Sequence, residues 1–158
     1  MNEVEKTSEN WLLALLYANN QKPIYGKLMF VKELFIAAHE IDEISENLQK
    51  VFKFYPDRYG PYSRVFDDAL GKLKREHFIE VKKETLDNST RHIFYLTEKG
   101  KKFAENFYNS LPKSAQDKLN KLKRGAEQLG YTGILKHVYT HYPRYAMGSK
   151  IKEAVYEY

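Results

Sequence analysis

The order of patterns between Tyr59 and Gly100 restricts this chain more than any other feature. Tyr59-Gly60-Pro61-Tyr62-Ser63 reads as a turn followed by a helix cap. Pro61 has no backbone N–H and biases Gly60 away from helical angles. Ser63 offers an oxygen to the free N–H groups of a first helical turn. From Ser63 to Glu76, the residues Phe66, Ala69, Leu70 and Leu73 recur at helical spacing and build one apolar face. Arg64, Asp68, Lys72 and Arg75 lie off that face. After His77 the period falls toward two: Ile79 and Val81 alternate with Glu80 and Lys82, and Ile93 and Tyr95 with Phe94 and Leu96. The second strand is apolar on both faces, which predicts an inner position in its sheet. Asp87-Asn88-Ser89 carries turn chemistry, within a loop expected to be longer than a two-residue hairpin. Thr97 is a good cap for the next helix.

Helix, strand, turn, strand, helix in one short stretch is the plan of a winged helix. Tyr95-Leu96-Thr97 followed by Gly100 resembles the end of the wing in regulators of the PadR and MarR kind. Leu73 to Ile79 is similar to the junction before their wing, with His77 where glycine is usual. Tyr59-Gly60-Pro61-Tyr62-Ser63, taken with Pro23 to Phe35, resembles uncharacterised archaeal winged-helix-like proteins and, more loosely, the SocA-like (Panacea) antitoxin domain. The fold class implied is mainly α with a small β-hairpin wing (α+β), a winged helix-turn-helix with extra C-terminal helices.

Elsewhere the chain reads as helices. Thr7 or Ser8 caps a first helix with Trp11, Leu12, Leu15 and Leu16 on its core face, ending at Asn19-Asn20. A second helix runs to about His39 and is apolar nearly all round, so it is either a central helix or the seam with a second subunit. Residues 40–62 are an insertion relative to a minimal winged helix: a short helix carrying Ile41, Ile44, Leu48 and Val51, then an aromatic loop. That loop either covers the core or recognises a protein. A helix runs from Thr97 to about Asn109, and Pro112 breaks the chain. Ser114 and Asp117 read as a capping pair, and Gly130 as a C-terminal cap. Two shorter helical pieces follow, from Gly133 to about Thr140 and from Ser149 with Ile151, Ala154, Val155 and Tyr158 on one side. The expected domains are 1–110, the winged helix with its insertion, and 111–158, a helical extension for packing or dimerisation.

Charge placement narrows the function. The net charge is +5. Between Lys99 and Arg124 stand eight bases against two acids, whereas Glu40, Asp42, Glu43 and Glu46 are acids without a base. No apolar run is long enough to cross a membrane. An acidic, polar N-terminus and the absence of cysteine suit the cytoplasm.

No arrangement points to catalysis. His137 and His141 have a metal-ligand spacing, but Val138 stands where the zinc-protease pattern needs Glu. Ser63 is not in a nucleophile elbow. Asp67 and Asp68 are adjacent on a helix and do not converge. We therefore expect no enzyme, no metal and no cofactor. The expected function is DNA-binding transcriptional regulation by a homodimer. Arg64, Lys72, Lys74 and Arg75 would face the major groove, and Tyr62 and Ser63 would reach phosphate from the helix start. Lys82, Lys83, Arg91 and His92 on the wing would touch the flanking backbone. The alternative is an antitoxin- or adaptor-like protein-interaction module that meets its partner through 40–62.

Overall fold

A computed structural model describes residues 5–147. Among these, six α-helices and five short strands follow in order. They are α1 (Ser8–Gln21), β1 (Ile24–Tyr25), α2 (Lys27–Glu40), α3 (Asp42–Phe52), β2 (Tyr55–Asp57), β3 (Gly60–Tyr62), α4 (Arg64–Arg75), β4 (Ile79–Leu86), β5 (Ser89–Leu96), α5 (Glu98–Ser110) and α6 (Lys113–His141), with a 3₁₀ turn at Pro143–Tyr145. The architecture is mainly helical with small antiparallel sheets. The helical piece expected from Ser149 lies outside the described residues.

The apolar stripes read from sequence become the core. Every residue of α2 from Met29 to Ala38 is buried, which makes it the central helix. Phe30 sits at its heart, with ring centroids 5.2 Å from Phe66 of α4 and 5.5 Å from Phe94 of β5. Trp11 of α1 meets Phe107 of α5 edge-on, and its Nε1 donates to Asn47 Oδ1 at 2.7 Å. Leu119, Ala126, Leu135 and Val138 of α6 are buried in the same cluster, so α6 shares one core with α1 and α2.

β5 lies in the middle of the order β1-β5-β4, as its two apolar faces require. β1 itself was not legible: two residues carry no periodicity. The β4–β5 loop corrects the expectation of a long connection. Leu86 pairs with Ser89, leaving Asp87 and Asn88 as a two-residue turn with φ of 48° and 68°. Both angles are left-handed, as a type I′ turn needs, and Asp and Asn tolerate them.

Helix ends explain several motifs. Ser63 accepts from Phe66 N at 3.1 Å, and Thr97 from Gly100 N at 3.0 Å. At the end of α4, Phe78 N donates to Leu73 O and His77 N to Lys74 O. That is a Schellman closure, with His77 at φ 61° in the position that favours glycine. Gly100 sits where any side chain would drive into the Phe78 carbonyl: a Cβ there would lie 1.9 Å from Phe78 O. Two expectations need correcting. α6 begins at Lys113 after Pro112 without a side-chain cap, so Ser114 does not cap it. Gly130 (φ 70°) interrupts the helix, but the chain turns helical again at once and continues to His141.

Candidate nucleic-acid interface

α4 turns Phe66, Ala69, Leu70 and Leu73 into the core. It turns Arg64, Asp68, Lys72, Lys74 and Arg75 to solvent. Its exposed bases differ in their freedom. Arg64 stacks its guanidinium 5.7 Å from the Tyr55 ring, and Arg75 lies over Gly71. Lys72 reaches Glu9 of α1 at 3.3 Å, with half of its side chain still exposed. Pairs this exposed are worth little and exchange readily for a better anion. Asp67, a possible repulsive charge, is already answered by Lys27 at 2.7 Å and by the Tyr62 hydroxyl, which donates to it. Burial, then Asp67, push the Tyr62 phenol up to about 12, so it stays a hydrogen-bond donor. Lys99 of α5 adds a further positive charge beside the end of α4, donating to Glu76 O at 3.0 Å.

Ser63 must be corrected. Its side chain is fully buried, accepting from Phe66 N and donating to Phe52 O at 2.6 Å. It holds the N-terminus of α4 against the end of α3 and cannot reach a phosphate.

The hairpin divides its predicted contacts between two faces. In an antiparallel pair, opposed residues share a face. Lys83 opposes His92, two steps along from Val81 and Phe94, so both continue the side that packs on α2 and α4. Lys82 opposes Ile93, and Glu84 opposes Arg91, on the other side. There Lys82 sits 4.9 Å over the Tyr95 ring. Arg91 sits 4.7 Å over the Tyr25 ring and donates through Nε and Nη2 to Glu84 Oε1. Only Lys83 and His92 therefore share the side toward α4.

The insertion is largely spent on the fold. Phe52 is buried, and Gly60 (φ 92°) brings its backbone so close to Tyr139 that a Cβ would lie 3.0 Å from the ring. Tyr59 is its exposed aromatic residue. Glu43 pairs with Lys118 at 2.7 Å, which holds its carboxyl down to about 2. Glu40 accepts from the Tyr142 hydroxyl and pairs with His137 Nε2 at 2.7 Å. His137 and His141 lie with ring centroids 4.3 Å apart, and among the described residues no group of three His, Cys, Asp or Glu is arranged to hold a metal ion.

Sequence reasoning passed over one set of residues. Lys32 and Glu33 interrupt the apolar run of α2, and both are buried, as is Lys123 of α6. Two adjacent charges inside an otherwise apolar helix were the available signal. No protein-family model matches the chain, and no curated protein matches it.

Proposed function

We propose that this protein is a winged-helix DNA-binding regulator, with α4 as the helix that enters the major groove. The observation that carries the reading is the outward side of α4. Arg64, Lys72, Lys74 and Arg75 project from a helix whose opposite face is locked in the core. A rigid helix presenting donors in this way suits base edges and phosphates. Topology supports the same reading: α1, β1, α2, α4, β4 and β5 occur in winged-helix order, and β1 joins the sheet beside β5. In that frame α3 and the β2–β3 hairpin are additions that brace α4 at its start. Lys83 and His92 extend the contact along the hairpin.

The protein acts as a homodimer in this reading. The exposed apolar residues Phe103 of α5 and Leu129 of α6 are the starting points for a second copy. Selection of duplexes from a random pool at two salt concentrations tests the function. Enrichment of one motif, with weaker retention at high salt, is the expected result. Retention without any motif would make the protein a non-specific architectural binder. No retention at either salt removes the proposal and leaves the protein-partner alternative.

A further inference from the structure

We propose that the apolar groove between the end of α2 and the outer side of α6 is covered by a second copy of this chain, seated across Gly125. This seam rests on the homodimer reading above and is independent of DNA.

The groove has a volume of about 420 Å³. Ile36 and Ile41 line it from the end of α2, and Leu122, Ala126, Leu129 and Ile134 from α6. Its α6 side is one helical face, because residues 118, 121, 122, 125, 126 and 129 recur at helical spacing. Leu129 is 57% exposed at the rim, beside Gly130 where the helix is interrupted. A protruding apolar side chain next to an apolar hollow is a self-complementary surface. About a two-fold axis, each copy's Leu129 enters the other's groove.

Gly125 points to the kind of neighbour that fits. It lies inside α6 with helical backbone, where glycine weakens a helix relative to alanine. Gly100 has an internal reason to lack a side chain, the Phe78 carbonyl. Gly125 has none: no atom lies within 4 Å of where its Cβ would be. Yet it lines the groove. The distance between two helices is set by the side chains at their crossing, so a glycine there lets a second helix come close.

Charge is self-complementary about the same groove. One wall carries Glu40, followed by the exposed Asp42 and Glu43, and the other carries Lys118 and Lys121. Glu43 pairs with Lys118 and Glu40 with His137, each at 2.7 Å, whereas Lys121 is exposed with no ion pair among the described residues. A two-fold axis along the groove sets each copy's basic wall over the other's acidic wall. An axis across the groove would set like charges together, which costs affinity.

The test uses the full-length chain without DNA, by light scattering after size exclusion and by sedimentation equilibrium. A dimer at about 10 µM is the expected result. Gly125→Gln fills the open space and favours the helix, so it should melt no lower than the parent. It should nonetheless raise the dimer dissociation constant about tenfold or more. Leu129→Ala, at an exposed position, should raise it by a similar factor. Phe103→Ala, on α5, should leave it unchanged. A parent that stays monomeric at about 100 µM overturns the seam and the homodimer reading together. A dimer left intact by Gly125→Gln or by Leu129→Ala, or dissociated by Phe103→Ala, keeps the homodimer and overturns this seam.

Discussion

Lys32 offers the most direct test of how this core is put together. Its side chain is fully buried in α2, beneath Gly60 of the β2–β3 hairpin, and its Nζ has no hydrogen-bond partner. Burial drives its amine down to about 7, with Asp57 only partly opposing the shift. The lowered value fixes the sign. Between about pH 7 and the ordinary lysine range the unfolded chain holds a proton that the folded protein has given up. Stability from this group therefore rises with pH across that window and is lowest where both states are charged. Each pH unit inside the window is worth about 1.36 kcal/mol per proton. Replacing Lys32 by Met removes the titration while keeping an unbranched chain of similar length. Lys32→Met should be more stable than the parent at about pH 7, and its advantage should shrink by about 2 kcal/mol by about pH 9. Urea unfolding followed by the fluorescence of the single, buried Trp11 measures both. Equal stabilities with parallel pH dependence would refute the reasoning, because Lys32 would then be solvated or paired in the folded protein.

Two further substitutions test the joints around α4 and the hairpin. His77→Gly should stabilise the fold by about 0.5–1 kcal/mol in urea unfolding, because the φ of 61° at that helix end strains any residue with a Cβ. Gly100→Ala should destabilise by about 3 kcal/mol or more, since its methyl would meet the Phe78 backbone oxygen and pry α5 off the start of β4. A thermal melt close to the parent's would show that α5 does not pack there as described.

What could be read from the sequence follows from which features have a local cause. The apolar stripe of α4, its Ser63 cap and the inner position of β5 each arise from side chains within a few residues of one another. The His77 and Gly100 positions are local too, and their backbone reasons appear only with coordinates. The turn chemistry of Asp87-Asn88-Ser89 is legible, but its length is not: composition does not say that Asp87 and Asn88 alone turn left-handed while Ser89 already pairs with Leu86. That Lys82 and Lys83 face opposite ways, as do Arg91 and His92, follows from strand alternation alone. Which residue of β5 joins Lys83 was hidden, because sequence spacing leaves register open. Ser63 failed as a phosphate contact because its burial depends on the end of α3, distant in the chain. The groove beside Gly125 could not be seen at all, since its two walls, at the end of α2 and on α6, are distant in the chain.

The DNA-binding reading is tested most directly by the salt dependence of duplex affinity. With a selected duplex, the logarithm of the association constant is plotted against that of salt for the parent and for the triple variant Arg64→Ala, Lys74→Ala, Arg75→Ala. Each phosphate neutralised contributes a slope of about −0.9, so the parent should fall with a slope of about −3 or steeper and the variant should be flatter by about 2–3. Equal slopes for the two proteins, or no measurable duplex binding by the parent at low salt, would contradict the assignment of α4 as the nucleic-acid-facing helix.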